Sequence, residues 1–168
     1  MGRSGLVVCF IFFISFFSTT PTGVVVFSRM IIPLQFVGFA IGGQIMVDVE
    51  LNGKSARMIV DTGASRTVFD PVVLTDFIES PKFEEGQGHV VGVDGAWSGQ
   101  KTVVIDSLAV GDAVLTAFEA VAVDLSNIRN FNSMAGMPDF VGIIGGDVLH
   151  LLKATINYGR RTLTVRKN

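Results

Sequence analysis

A length of 168 residues, a net charge of −2 and a single cysteine, Cys9, exclude several classes at once. The chain can form no internal disulfide, has no Cys-rich zinc spacing, and carries no surplus of basic charge for a nucleic-acid backbone. Its charge is unevenly placed: residues 1–40 contain no Asp or Glu, whereas from position 41 onward eleven basic residues face fifteen acidic ones, leaving −4.

That asymmetry divides the sequence into a leader at 1–29, a linker or first strand at 30–40, and a domain at 41–168, which is long enough for one hydrophobic core. In the leader, Arg3 precedes an apolar run over 6–17, the layout of an export signal. If the apolar span continues to Phe27, residues 5–27 are long enough to cross a bilayer as an uncleaved anchor. Both readings imply membrane association or export, and so an extracytoplasmic location: secreted, periplasmic or membrane-anchored. Cys9 is a poor lipid-attachment site, because the apolar run continues past it in Phe10-Ile11-Phe12-Phe13.

Residues 44–51 alternate, with Ile45, Val47, Val49 and Leu51 on one face and Met46, Asp48 and Glu50 on the other, which predicts a half-buried strand. Asn52-Gly53 is a strong hairpin signal and returns the chain into a second strand over 56–60. That strand runs directly into Asp61-Thr62-Gly63-Ala64-Ser65. An acid at the exit of a buried strand is held by backbone rather than by a floppy stem, and Gly63 permits a tight turn beside it. Asp61 is therefore a carboxyl that can be aimed. Residues 67–69 read as a short strand and 71–78 as a loop or short helix.

Residues 88–99 carry four glycines between two β-rich stretches, with Asp94-Gly95 at the expected tip of a hairpin. Further strands are expected at 102–106, 108–110 and 117–125, with a turn at Gly111-Asp112. Residues 126–138 read as a polar connection in which Phe131, Met134 and Met137 either border a groove or cap the core. Then Val141-Gly142-Ile143-Ile144 reads as a buried strand, Gly145-Gly146 as a change of direction, and Asp147 as the cap of a helix over 148–153. A terminal hairpin over 154–158 and 162–166 closes the chain. Neither His89 nor His150 has metal-binding spacing, so no metal and no cofactor is expected. Ser65 lacks the Gly-x-Ser-x-Gly setting of a hydrolase nucleophile.

Taken together, the apolar lead-in to Asp61-Thr62-Gly63, the Ala64-Ser65 that follows, and the downstream Ile143-Ile144-Gly145 resemble the retroviral-type (retropepsin-like), single-domain aspartic peptidases and their cellular and bacterial relatives. The resemblance spans about 41–165. It implies an all-β fold: a closed, mostly antiparallel acid-protease barrel with one short C-terminal helix. It implies that Asp61, Thr62 and Gly63 form the catalytic turn, with Thr62 bonding across a dimer axis and Ser65 supporting the carboxylate. Ala64, Ile143, Ile144 and Gly145 would pack around that turn. Gly92, Val93, Asp94, Gly95, Ala96 and Trp97 would belong to a flap over the substrate, Trp97 serving either as a substrate-facing wall or as a prop beneath it.

The chemistry implied is aspartic endopeptidase hydrolysis of a peptide or protein substrate. Peptide hydrolysis by carboxyls needs two of them sharing a proton, since one must act as base while the other acts as acid. With one Asp-Thr-Gly per chain, either a second acid comes from elsewhere in the fold or, the favoured reading, a homodimer pairs two copies of Asp61. The alternative is a catalytically weak or inactive, membrane-associated module that keeps the fold and serves peptide binding or interaction.

Overall fold

The structure is a computed structural model, and it describes residues 23–25, 29–38, 43–85, 90–92, 95–97 and 101–166. In chain order the elements are β1 (Gly23–Val25), β2 (Met30–Pro33), β3 (Gln35–Val37), β4 (Gln44–Leu51), β5 (Lys54–Val60), β6 (Val68–Phe69) and α1 (Pro71–Leu74). They continue with β7 (Phe83–Glu85), β8 (Val90–Gly92), β9 (Gly95–Trp97), β10 (Lys101–Val110), β11 (Ala113–Ala122) and α2 (Ser126–Met134). The last are β12 (Gly142–Ile144), α3 (Gly146–Leu151), β13 (Thr155–Asn157) and β14 (Thr162–Val165).

Six strands close into a barrel in the order β4, β5, β12, β6, β11, β10, the ring being completed where β10 pairs with β4. It is a mixed barrel, because β12 lies parallel to β5 and β6 lies parallel to β11 while the other neighbours are antiparallel. β1, β3 and β7 extend it on β11, β4 and β10. A separate sheet, β13-β14-β2, joins the expected terminal hairpin to the 30–33 segment.

Local chemistry explains the hairpin that leads to the site. Asn52 and Gly53 both adopt left-handed backbone, φ 49° and 78°, which a two-residue turn between twisted strands requires. The Asn52 side chain then accepts from the Ser107 N–H, tying the hairpin tip to β10.

Among the described residues two apolar clusters form the core. Ile45, Val47, Val49 and Leu51 turn inward with Met58, Val60 and Ile144 into the larger one, as alternation requires. The opposite face of the same strands is covered too. Met46, Ile59 and Ile143 point away from the barrel interior and pack with Ala64, Leu125 and Phe140, with Ile128 of α2 against them.

The expected all-β architecture with one C-terminal helix needs correction. Among the described residues three helices are present, and the longest is α2, within the 126–138 stretch that composition marks as a polar connection. Its stability comes from distant partners. Asn132 is buried and exchanges two amide hydrogen bonds with Gln44, while Arg129 pairs with Asp139 and approaches Asp70 at 3.6 Å. Phe131 and Met134 cap no core; both are exposed.

The reading of 1–29 as a signal peptide or as an anchor crossing a membrane with residues 5–27 is overturned where it can be compared. Gly23–Val25 is a strand paired antiparallel with β11, and a Cβ on Gly23 would come within 2.5 Å of Thr116 Oγ1, so this stretch is fitted to the barrel edge. Among the described residues no helix is long and apolar enough to cross a membrane. Membrane association through that segment is withdrawn with it. Residues 1–22 lie outside the described residues.

Candidate active site

β5 ends at Val60, and Asp61 begins the turn that follows it. β12 lies parallel to β5 with Ile144 opposite Val60, and the ladder continues one step further: the Asp61 N–H donates to the Ile144 carbonyl at 3.0 Å. The strand end that carries the carboxyl is thus fixed to a neighbouring strand. Within the turn, Asp61 Oδ1 accepts from the Gly63 N–H at 2.8 Å, and the Ala64 N–H donates to the Asp61 carbonyl at 3.3 Å. Partial burial pushes the Asp61 carboxyl above its ordinary value of 3.8, while the N–H groups of Gly63 and Ala64 pull it the other way.

The far side of the turn is clamped by the start of α3. The Gly146 N–H donates to the Ala64 carbonyl at 2.7 Å and the Asp147 N–H to the Ser65 carbonyl at 3.2 Å. Asp147 does not serve as the N-cap expected of it. Gly145 occupies that position, and the Asp147 carboxylate turns instead to Thr67, accepting its N–H at 2.9 Å and its hydroxyl at 2.7 Å. Arg66 Nε lies 3.4 Å from Asp147 Oδ2, close enough for an ion pair although its N–H is not aimed along a hydrogen bond. The same guanidinium reaches Glu119 on β11 at 3.3 Å.

A family model described as aspartyl protease matches residues 47–148, which include the whole of this arrangement. The chain belongs to the aspartyl protease family. Among solved structures it is similar to a retropepsin-like aspartic protease from Rickettsia conorii, at 16% identity and a TM-score of 0.49, over 86% of this chain and 92% of that one. The comparison with curated proteins gives no match.

In this member of the aspartyl protease family, the two stretches singled out in sequence, 61–65 and 143–145, do meet. Thr62 is exposed at the turn, and Ala64 is buried beneath it with Ile59 and Ile143. Ser65 Oγ is buried and, among the described residues, has no hydrogen-bond partner, so within one copy it does not bond the Asp61 carboxylate. β8 and β9 form the expected antiparallel hairpin, with Gly92 opposite Gly95. Val93 and Asp94 lie outside the described residues. Among the described residues no group of three or more His, Cys, Asp or Glu could hold a metal ion.

Sequence reasoning missed Thr67, Arg66 and the real task of Asp147. Thr67 is wholly buried, and a hydroxyl at the mouth of an apolar strand is a signal of sorts, since a buried hydroxyl demands a partner. The partner is 80 residues away and no local pattern points to it.

Proposed function

We propose that the protein is an aspartic endopeptidase that hydrolyses peptide bonds with a water held between Asp61 and the Asp61 of a second copy. The observation that carries the reading is the placement of Asp61: a partly buried carboxyl on a strand end, gripped through its own N–H by Ile144 and through Oδ1 by Gly63. Burial raises its proton affinity, and the mutual repulsion of two such carboxyls facing each other would keep one protonated while its mate is ionised.

In that pair the ionised carboxylate takes a proton from the water as its oxygen attacks the scissile carbonyl carbon. The protonated carboxyl hydrogen-bonds the carbonyl oxygen, which becomes the hydroxyl of a tetrahedral intermediate. Collapse of that intermediate breaks the C–N bond and passes a proton to the departing amine, so no acyl-enzyme forms. The β8–β9 hairpin would lie over an extended substrate and bond it strand to strand, with glycines allowing close backbone approach. Thr62, exposed on the turn, would meet its counterpart across the two-fold axis.

The test compares the full chain with Asp61→Asn on a diverse peptide library across pH, reading new termini by mass spectrometry. Cleavage by the wild type and none by the variant supports the reading. Equal cleavage by both overturns it, and peptide binding without cleavage by either assigns the chain to the non-catalytic alternative.

A further inference from the structure

The turn that carries Asp61 is held by backbone contacts, by its own carboxylate on Gly63, and from further off by a buried hydroxyl. Thr67 is fully buried, and its hydroxyl does two things at once: it donates to Asp147 Oδ1 at 2.7 Å and accepts from the Gly145 N–H at 3.0 Å. Gly145 N–H and Ile144 C=O are the two ends of one planar peptide unit. The carbonyl end of that unit receives the Asp61 N–H. The Thr67 hydroxyl therefore grips one end of a rigid plane whose other end orients the strand terminus bearing the carboxyl.

Asp147 in turn fixes the hydroxyl. Its carboxylate accepts from the Thr67 hydroxyl and from the N–H of Val148 through Oδ1, and from the Thr67 N–H through Oδ2, with Arg66 at 3.4 Å from Oδ2. With the carboxylate taking the hydroxyl proton, the Thr67 oxygen presents its lone pairs to Gly145. We infer that Thr67 and Asp147 form a positioning pair for Asp61, acting through the Ile144–Gly145 peptide to aim the carboxyl. The inference deepens the aspartic peptidase reading and, for its kinetic part, rests on it. Arg66 on the turn itself joins Asp147 on α3 and Glu119 on β11 in one network of charge.

The experiment uses the full chain as wild type, Thr67→Val, Thr67→Ser and Asp147→Asn, each checked for native circular dichroism. The Asp61 carboxyl is titrated by carbon NMR, and peptide cleavage is split into kcat and KM across pH. Val keeps the shape of Thr but removes the hydroxyl, so the Gly145 N–H loses its acceptor, the Ile144–Gly145 peptide is held less firmly, and the Gly63 N–H is expected to grip the Asp61 carboxylate less well. The expected result is an Asp61 titration shifted upward by about half a unit or more in Thr67→Val. It should be accompanied by a fall in kcat of about 10-fold or more with KM within about twofold. Thr67→Ser, which restores the hydroxyl, should return both towards wild type. If Thr67→Val does not fold, Asp147→Asn carries the same expectation, because its amide cannot accept from both Thr67 groups as the carboxylate does.

An unchanged Asp61 titration in a folded Thr67→Val or Asp147→Asn overturns the inference, as does a Thr67→Ser variant no better than Thr67→Val. A wild type that cleaves nothing overturns the peptidase reading instead, and the NMR titration then decides the positioning pair by itself.

Discussion

A Cβ placed on Gly145 would come within 2.5 Å of both the carbonyl carbon and the carbonyl oxygen of Arg66. The φ of Gly145 is −97°, which any residue adopts, so this glycine is demanded by space and not by conformation. The space is what allows the start of α3 to lie flat against the turn and donate from Gly146 to Ala64. Gly145→Ala is therefore expected to push α3 off the turn, costing about 1–3 kcal/mol of stability and most of the Asp61-dependent activity. Gly146→Ala is the internal control. Its Cβ meets the Ala64 carbonyl oxygen at 3.5 Å, an ordinary contact, and a helical first position favours Ala over Gly. Urea denaturation of the two variants checks the contrast, which fails if Gly146→Ala is the more damaging.

The raised proton affinity of Asp61 makes a prediction about stability against pH. Burial lifts the folded-state value above the ordinary 3.8, so over the interval between the two the folded protein binds more protons than the unfolded chain. The stability contributed by this group is fully present below about 3.8 and is lost as pH rises through the folded value. Asp61→Asn, neutral throughout, lacks that loss. Its stability advantage over wild type should grow with pH across this window and level off above it, read as urea midpoints at closely spaced pH. A flat or shrinking difference would show that burial does not dominate at Asp61.

The parts of this molecule that were legible in sequence are those whose cause is local. Asn52-Gly53 dictates its hairpin by backbone conformation, the alternation over 44–51 follows from strand pleat, and Ile143-Ile144-Gly145 pairs an apolar strand with a residue that must lack a Cβ. What was hidden depends on distant partners. β7 is a three-residue strand of mostly polar character that exists because β10 offers it a ladder. Met46 falls on the face marked for solvent, yet it is fully buried because the cluster that includes Leu125, Phe140 and Ile128 covers that face. Helix α2 contains three asparagines, poor helix formers, and no hydroxyl or carboxylate at its N-cap, Leu125. Thr67 and Asp147 are the same case within the site: each makes sense only beside the other.

Asn132 is the clearest measure of how much α2 owes to such a partner. It is 1% exposed, and its amide and that of Gln44 exchange hydrogen bonds of 3.0 and 2.8 Å. Asn132→Ala removes both bonds and leaves the Gln44 amide partly buried without them, for an expected loss of about 1–3 kcal/mol. Gln44→Ala should cost a similar amount by stranding Asn132. The double variant should cost less than the sum, with a coupling of about 0.5–3 kcal/mol in a double-mutant cycle. Strict additivity would mean that the two amides do not support each other.

Asp70 joins three parts of the chain that local sequence does not connect. It is 1% exposed, and Oδ1 accepts from the N–H groups of Val72 at 2.9 Å and Val73 at 3.4 Å, capping α1 with Pro71 at its first position. Its Oδ2 accepts from the Leu125 N–H at 3.2 Å, where β11 gives way to α2, and faces Arg129 at 3.6 Å. Asp70→Ala removes the cap and leaves the Leu125 N–H buried without its acceptor, so the expected cost is about 2 kcal/mol or more. Arg129 is not stranded by the change, because Asp139 holds it at 3.2 Å, and the loss should therefore fall short of that for a buried charge left alone. Asp70→Asn keeps an acceptor for the cap but can turn only one oxygen to its neighbours, and should lose roughly half as much. Chemical denaturation of the two variants beside wild type gives the order, and an Asn variant as damaged as the Ala variant would place the stabilisation in the charge facing Arg129 and not in the cap.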